Sequence, residues 1–121
     1  MPNILYVDDD DDIREIVDMA LELDPDISLR MCSSGAQALS VVADWTPDLV
    51  LLDVMMPGMD GPETLSRLRA EGLDAAVPVV FITARSQDKE VERLNTLGAA
   101  GVIAKPFDPM TLASQVRGFL P

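Results

Sequence analysis

Apolar residues along this chain follow two periods that alternate from one end to the other. Ile4–Val7, Leu49–Leu52 and Val79–Ile82 are unbroken apolar runs of strand length, and Leu29–Cys32 and Val102–Ala104 are weaker versions. Between them apolar residues recur at helical spacing. Ile13, Ile16, Val17, Ala20 and Leu21 follow the i, i+3, i+4, i+7, i+8 pattern of an amphipathic helix. Ala38, Leu39, Val42 and Ala43 share one face of a second helix, which Ser34-Gly35-Ala36-Gln37 opens with capping-box spacing. Asp60 and Glu63 have the same spacing before a third helix with Leu65 and Leu68 inward. A fourth is expected near Ser86–Leu97, stopped by Gly98. Asp108-Pro109 predicts the N-cap and first position of a fifth, with Leu112, Val116 and Phe119 facing in.

Five strand–helix units in succession predict an α/β fold. Strands that are apolar on both faces belong in a parallel sheet covered by helices on both sides. Right-handed crossovers leave few topologies, and a doubly wound five-stranded sheet of order 2-1-3-4-5 is expected. The length of 121 residues suits a single domain over 1–121, with no linker or low-complexity segment in view.

Composition narrows the chemistry. The formal net charge is −12, from 21 acidic and 9 basic residues. That disfavours nucleic acid and anionic membrane as partners and favours a divalent cation or a basic protein surface. With no His and only Cys32, the chain cannot build a His-based triad, a His-containing zinc site, a Cys-x-x-Cys pair or an internal disulfide. No signal peptide is visible, and the longest largely apolar stretch, Ala75–Ala84, is far short of the roughly 20 residues that span a bilayer, so a cytoplasmic location is expected.

In an open parallel sheet, ligands bind beyond the carboxyl ends of the strands. The residues there are Asp8 and Asp9 after the first strand, Asp53 after the third, Thr83 after the fourth and Lys105 after the fifth. Carboxylates gathered at one edge repel by about 4 kcal/mol per pair at ~4 Å and an effective dielectric of ~20. A proton, Lys105 or a metal must compensate. All-oxygen ligation suits a hard cation such as Mg²⁺, with Mn²⁺ a possible substitute. An Asp carboxylate can also attack phosphorus, and an amine, a hydroxyl and a metal neutralise the charge that spreads in the transition state. Asp53, on the central strand, is the candidate nucleophile. Lys105 and Thr83 are candidates to hold phosphoryl oxygens, and the small Ala84 leaves the approach open.

These pieces occur together as Ile4-Leu5-Tyr6-Val7-Asp8-Asp9, Asp48 to Asp53 running into Val54-Met55-Met56-Pro57-Gly58-Met59-Asp60-Gly61, Ile82-Thr83-Ala84 and Lys105-Pro106-Phe107. In that order and spacing the chain resembles the receiver domain of bacterial two-component response regulators, over essentially its whole length. The resemblance implies a flavodoxin-like, chemotaxis-type single-domain receiver, and no output domain is expected within 1–121. Asp53 would accept a phosphoryl group from a histidine kinase or histidine phosphotransfer protein. Mg²⁺ would be held by Asp9, Asp53 and the backbone carbonyl of Met55, with Asp8 acting mainly through water. Thr83, Ala84 and Lys105 would sense the phosphoryl group, and Lys105-Pro106 would be a cis peptide. One departure stands out: the family usually places an aromatic residue three positions before the lysine, and Val102 is there, so an aromatic rotamer switch is not available.

Taken singly, several of these residues have plainer uses. Asp10, Asp11 and Asp12 suit a solvated helix N-terminus, where carboxylates are favoured, and Asp12 with Glu15 has capping-box spacing. Cys32 reads as a buried small hydrophobe, the methionines as packing, and Trp45 as a residue packed at a helix end. Two other functions use the same parts: an Mg²⁺-dependent phosphatase with an Asp nucleophile, and a degenerate module that binds without being phosphorylated. Turnover on free substrates would want a proton donor near the nucleophile, and two residues after Asp53 stands Met55, which transfers no proton. The chain is therefore expected to act on itself only, by phosphoryl transfer to Asp53 and slow autodephosphorylation.

Overall fold

A computed structural model describes residues 2–85 and 87–120. Its elements are β1 (Asn3–Val7), α1 (Asp11–Leu21), β2 (Ser28–Cys32), α2 (Gly35–Asp44), β3 (Leu49–Asp53), α3 (Gly61–Ala70), β4 (Val79–Thr83), α4 (Asp88–Thr96), β5 (Gly101–Ala104) and α5 (Leu112–Phe119). The strands form one sheet of order β2-β1-β3-β4-β5, every pairing parallel.

Strand alternation divides the core into two layers. Leu5, Val7, Val50, Leu52, Val79 and Phe81 face α2, α3 and α4 through Ala38, Leu65, Leu68 and Leu94. Ile4, Tyr6, Leu49, Leu51, Val80, Ile82 and Ile103 face α1 and α5 through Val17, Ala20, Leu21, Leu112 and Val116. The central strands β3 and β4 are buried at every position, whereas edge strand β2 exposes Arg30. That difference is why β3 and β4 read as unbroken apolar runs and β2 does not. Removing a fully buried leucine from such a layer costs about 2–5 kcal/mol.

Local chemistry sets the ends of the helices, with some departures from expectation. Ser34 and Asp60 cap α2 and α3 by accepting from the N–H groups of Gln37 and Glu63. The return half of the first box is displaced: Gln37 accepts from the N–H and hydroxyl of Ser33. In α1 the cap is Asp10, not Asp12, because Asp10 is still extended and accepts from Asp12 and Ile13, while Asp12 is already helical. Asp108 does not cap α5. Its carboxylate accepts from Met110 N–H and its carbonyl from Thr111 N–H, so Asp108-Pro109 makes a turn and the helix starts at Leu112. Gly98, at φ 101°, ends α4, while Ser86, the expected start of that helix, lies outside the described residues. Ile16 and Ala43, expected inward, are exposed. Trp45 ends α2, half-buried, with the Arg30 guanidinium 4.9 Å over its ring.

Candidate functional site

Register brings the strand-end residues together. Val7 pairs with Leu52, so one step further Asp8 stands level with Asp53 on the adjacent strand. Asp53 pairs with Ile82, and Thr83 with Ala104, which places Lys105 one step beyond. Alternation then sorts these residues by face. Tyr6, Leu51 and Ile103 point toward α1 and α5, so Asp8, Asp53 and Lys105, each two residues on, continue on that face. Thr83 follows Phe81 on the opposite one.

The contacts agree with that sorting. Lys105 Nζ donates to Asp8 Oδ2 at 2.9 Å and to Asp53 Oδ1 at 3.2 Å. Asp8 is fully buried and Asp53 only 5% exposed. Tyr6, also fully buried, donates its hydroxyl to Asp8 Oδ2 at 2.9 Å, and Asp10 N–H donates to Asp8 Oδ1 at 3.0 Å. Arg14 Nη1 donates to the Asp8 carbonyl at 2.7 Å, tying the loop to α1. Thr83 Oγ1 accepts from Arg85 N–H at 2.9 Å and so faces its own loop. Asp9, Met55 and Ala84 are exposed around the cluster. The Lys105–Pro106 peptide is cis. Val102 is half-buried in β5 and, with Ile103, Ala104, Gln115, Gly118 and Phe119, lines a cavity of about 290 Å³ beside α5.

Electrostatics follow from this crowding. Burial, reinforced by the neighbouring Asp8 charge, pushes the Asp53 carboxyl up to about 6 against the pull of Lys105. Burial opposes the charge on Lys105, but its bonds to Asp8 and Asp53 outweigh that and hold the ammonium above its usual value. Burial and Asp8 also push the Tyr6 hydroxyl far up, so it remains a donor at any physiological pH. Carboxylate oxygens of Asp8, Asp9 and Asp53 lie within 4.8 Å of one another. Three acids with one amine leave net negative charge in a partly dry pocket, and an all-oxygen donor set of this kind suits a hard divalent cation.

Two contributors lie within the matching stretches but had no role assigned from the sequence. Tyr6 was legible only through the two-residue strand period, which puts it below Asp8 on the same face. Gly61 sits so close to β3 that a Cβ there would lie 2.4 Å from the Asp53 carbonyl oxygen. Its N–H donates to the Val54 carbonyl at 2.9 Å, pinning the loop that follows Asp53.

A doubly wound sheet with an acidic cluster and a lysine at its carboxyl edge defines a class of small phosphoryl-responsive α/β domains. The response regulator receiver domain family matches residues 4–117, and the chain belongs to that family. It is 37% identical to the phosphate regulon transcriptional regulatory protein PhoB of Pseudomonas aeruginosa, over 97% of this chain and 51% of that protein. It is 38% identical to the DNA-binding response regulator MtrA of Mycolicibacterium smegmatis, over 97% of this chain and 50% of that protein. The chain therefore spans about half the length of the curated relatives it matches. Among solved structures, chemotaxis protein CheY4 of Vibrio cholerae aligns with a TM-score of 0.90 at 28% identity, covering 99% of both chains. Its fold and family make this chain a receiver domain of the two-component type. Among the described residues, no helix is long and apolar enough to cross a membrane.

Proposed function

We propose that Asp53 is the phosphoacceptor of this receiver and that phosphorylation changes which protein it binds. The observation that carries this reading is the bridge from Lys105 Nζ to both Asp8 and Asp53, with Asp9 beside it. An Asp53 oxygen would attack the phosphorus of a phosphohistidine on a histidine kinase or phosphotransfer protein. The O–P bond forms as the P–N bond breaks, and the electron pair stays on the imidazole nitrogen of the donor. Lys105 is already within reach of the oxygens that would carry the transferred charge. Thr83 would turn about its Cα–Cβ bond, giving up Arg85, to donate to another. Ala84 leaves that side open.

The donor set fits Mg²⁺, held by Asp9 and Asp53 carboxylates and the Met55 carbonyl; when bound it would neutralise charge on the phosphoryl oxygens. Asp8 already accepts from Tyr6, Lys105 and Asp10, so it would act through water. Met55 offers no proton donor beside the nucleophile, which favours a phospho-form that outlasts the transfer. With Val102 in place of an aromatic ring, the response at α4 and β5 would use something other than an aromatic rotamer switch. A cytoplasmic location belongs to the same reading.

Incubation with acetyl phosphate and Mg²⁺, followed by intact-protein mass spectrometry, tests it. One added phosphoryl mass, lost with chelator and lost in Asp53→Asn, is expected. No gain, or a gain that persists in Asp53→Asn, would overturn it.

A further inference from the structure

Tyr6 is the only tyrosine in the chain, it is fully buried, and its hydroxyl is spent on one acceptor, Asp8 Oδ2 at 2.9 Å. That same oxygen accepts from Lys105 Nζ at 2.9 Å, while Lys105 reaches Asp53 Oδ1 at 3.2 Å. Two donors on one oxygen compete: each withdraws electron density and weakens the other's hold. Asp10 N–H on Oδ1 prevents the carboxylate from escaping by rotation. The amine is therefore shared between two acids whose relative pull depends on a third donor.

We propose that Tyr6 is a positioning residue that sets how Lys105 is divided between Asp8 and Asp53, and so how readily the amine serves a phosphoryl group on Asp53. This inference rests on the proposed phosphoacceptor role of Asp53. Without the hydroxyl, Asp8 Oδ2 would keep Lys105 as its one strong donor in a buried setting and draw it away from Asp53. The metal-facing acids Asp9 and Asp53 do not touch Tyr6 through this bond, so the effect passes through Asp8 and Lys105.

The chain has two lysines, Lys89 on the exposed face of α4 and Lys105, so side-chain amine resonances can be assigned by substitution. In Tyr6→Phe the Lys105 resonance should shift while that of Lys89 stays. The dissociation constant for beryllofluoride, a phosphoryl mimic, measured by calorimetry at saturating Mg²⁺, should rise on the order of 10-fold, as for other outer-shell donors. In a Lys105→Met background, Tyr6→Phe should add no further loss. Replacing the single tyrosine with meta-fluorotyrosine, a stronger donor of nearly the same shape, should move both readings in the opposite direction, and it carries the test if Tyr6→Phe does not fold.

An unmoved Lys105 resonance in a folded variant would overturn the proposal. So would an equal loss of beryllofluoride affinity with and without Lys105, which would mean that Tyr6 merely supports the fold. If the parent protein binds no beryllofluoride, the phosphoacceptor reading fails instead, and the resonance alone decides whether Tyr6 divides the amine.

Discussion

Asp53 should destabilise the metal-free fold, and Asp53→Asn should relieve it. The residue is 5% exposed, and its carboxyl is raised from an ordinary value near 3.8 to about 6, mainly by burial and then by Asp8. At roughly 1.4 kcal/mol per pH unit, that gap is worth about 3 kcal/mol at most. A gain of about 1–3 kcal/mol is expected, or a melting temperature higher by about 3–12 °C for a domain of this size. The sign follows from proton counting. Between about pH 4 and pH 6 the folded chain binds more protons at this site than the unfolded chain does, so stability falls as pH rises through that window. Above it the loss is complete; below it Asp53 is protonated in both states and contributes nothing. Asn keeps the shape, can still accept from Lys105, and cannot ionise. Urea unfolding in chelator should therefore show Asp53→Asn more stable than the parent near pH 7.5, with the two converging near pH 4. An Asp53→Asn variant no more stable than the parent near neutral pH would refute the claim that burial and the Asp8 charge make this carboxylate costly to ionise.

The same repulsion predicts that millimolar Mg²⁺ raises the melting temperature by mass action, and that Asp9→Asn removes most of the rise; a thermal scan with and without chelator measures both. Gly61→Ala should cost about 1–3 kcal/mol, because the new methyl would meet the Asp53 carbonyl at 2.4 Å, and it should slow acetyl phosphate labelling by moving the end of β3. Chemical denaturation and the labelling rate together would check it, and a variant matching the parent in both would show that the loop yields freely. Phe81→Ala removes a fully buried ring from the layer under α2, α3 and α4 and should cost about 3–5 kcal/mol in the same unfolding assay.

What the amino-acid order determined by itself is what depends on near neighbours. The unbroken apolar runs Leu49–Leu52 and Val79–Ile82 specify strands buried on both faces, because each is short and preceded by a proline-containing turn, Pro47-Asp48 and Pro78. Ser34 and Asp60 specify helix starts, because a short oxygen reaches an N–H three residues on. Placing Asp8, Asp53 and Lys105 at one edge needed only the rule that parallel strands all end on the same side. Asp108 misled because a turn and a helix cap use the same local oxygen, and here that oxygen serves the turn. Tertiary structure alone decided that Ile16 stays exposed and that Gly61 presses on Asp53. It also decided which groups share the lysine, through a contact spanning 97 positions. A buried carboxylate takes its donors from whatever the packed chain brings near, and that proximity is written in register and face, not in any short stretch of residues.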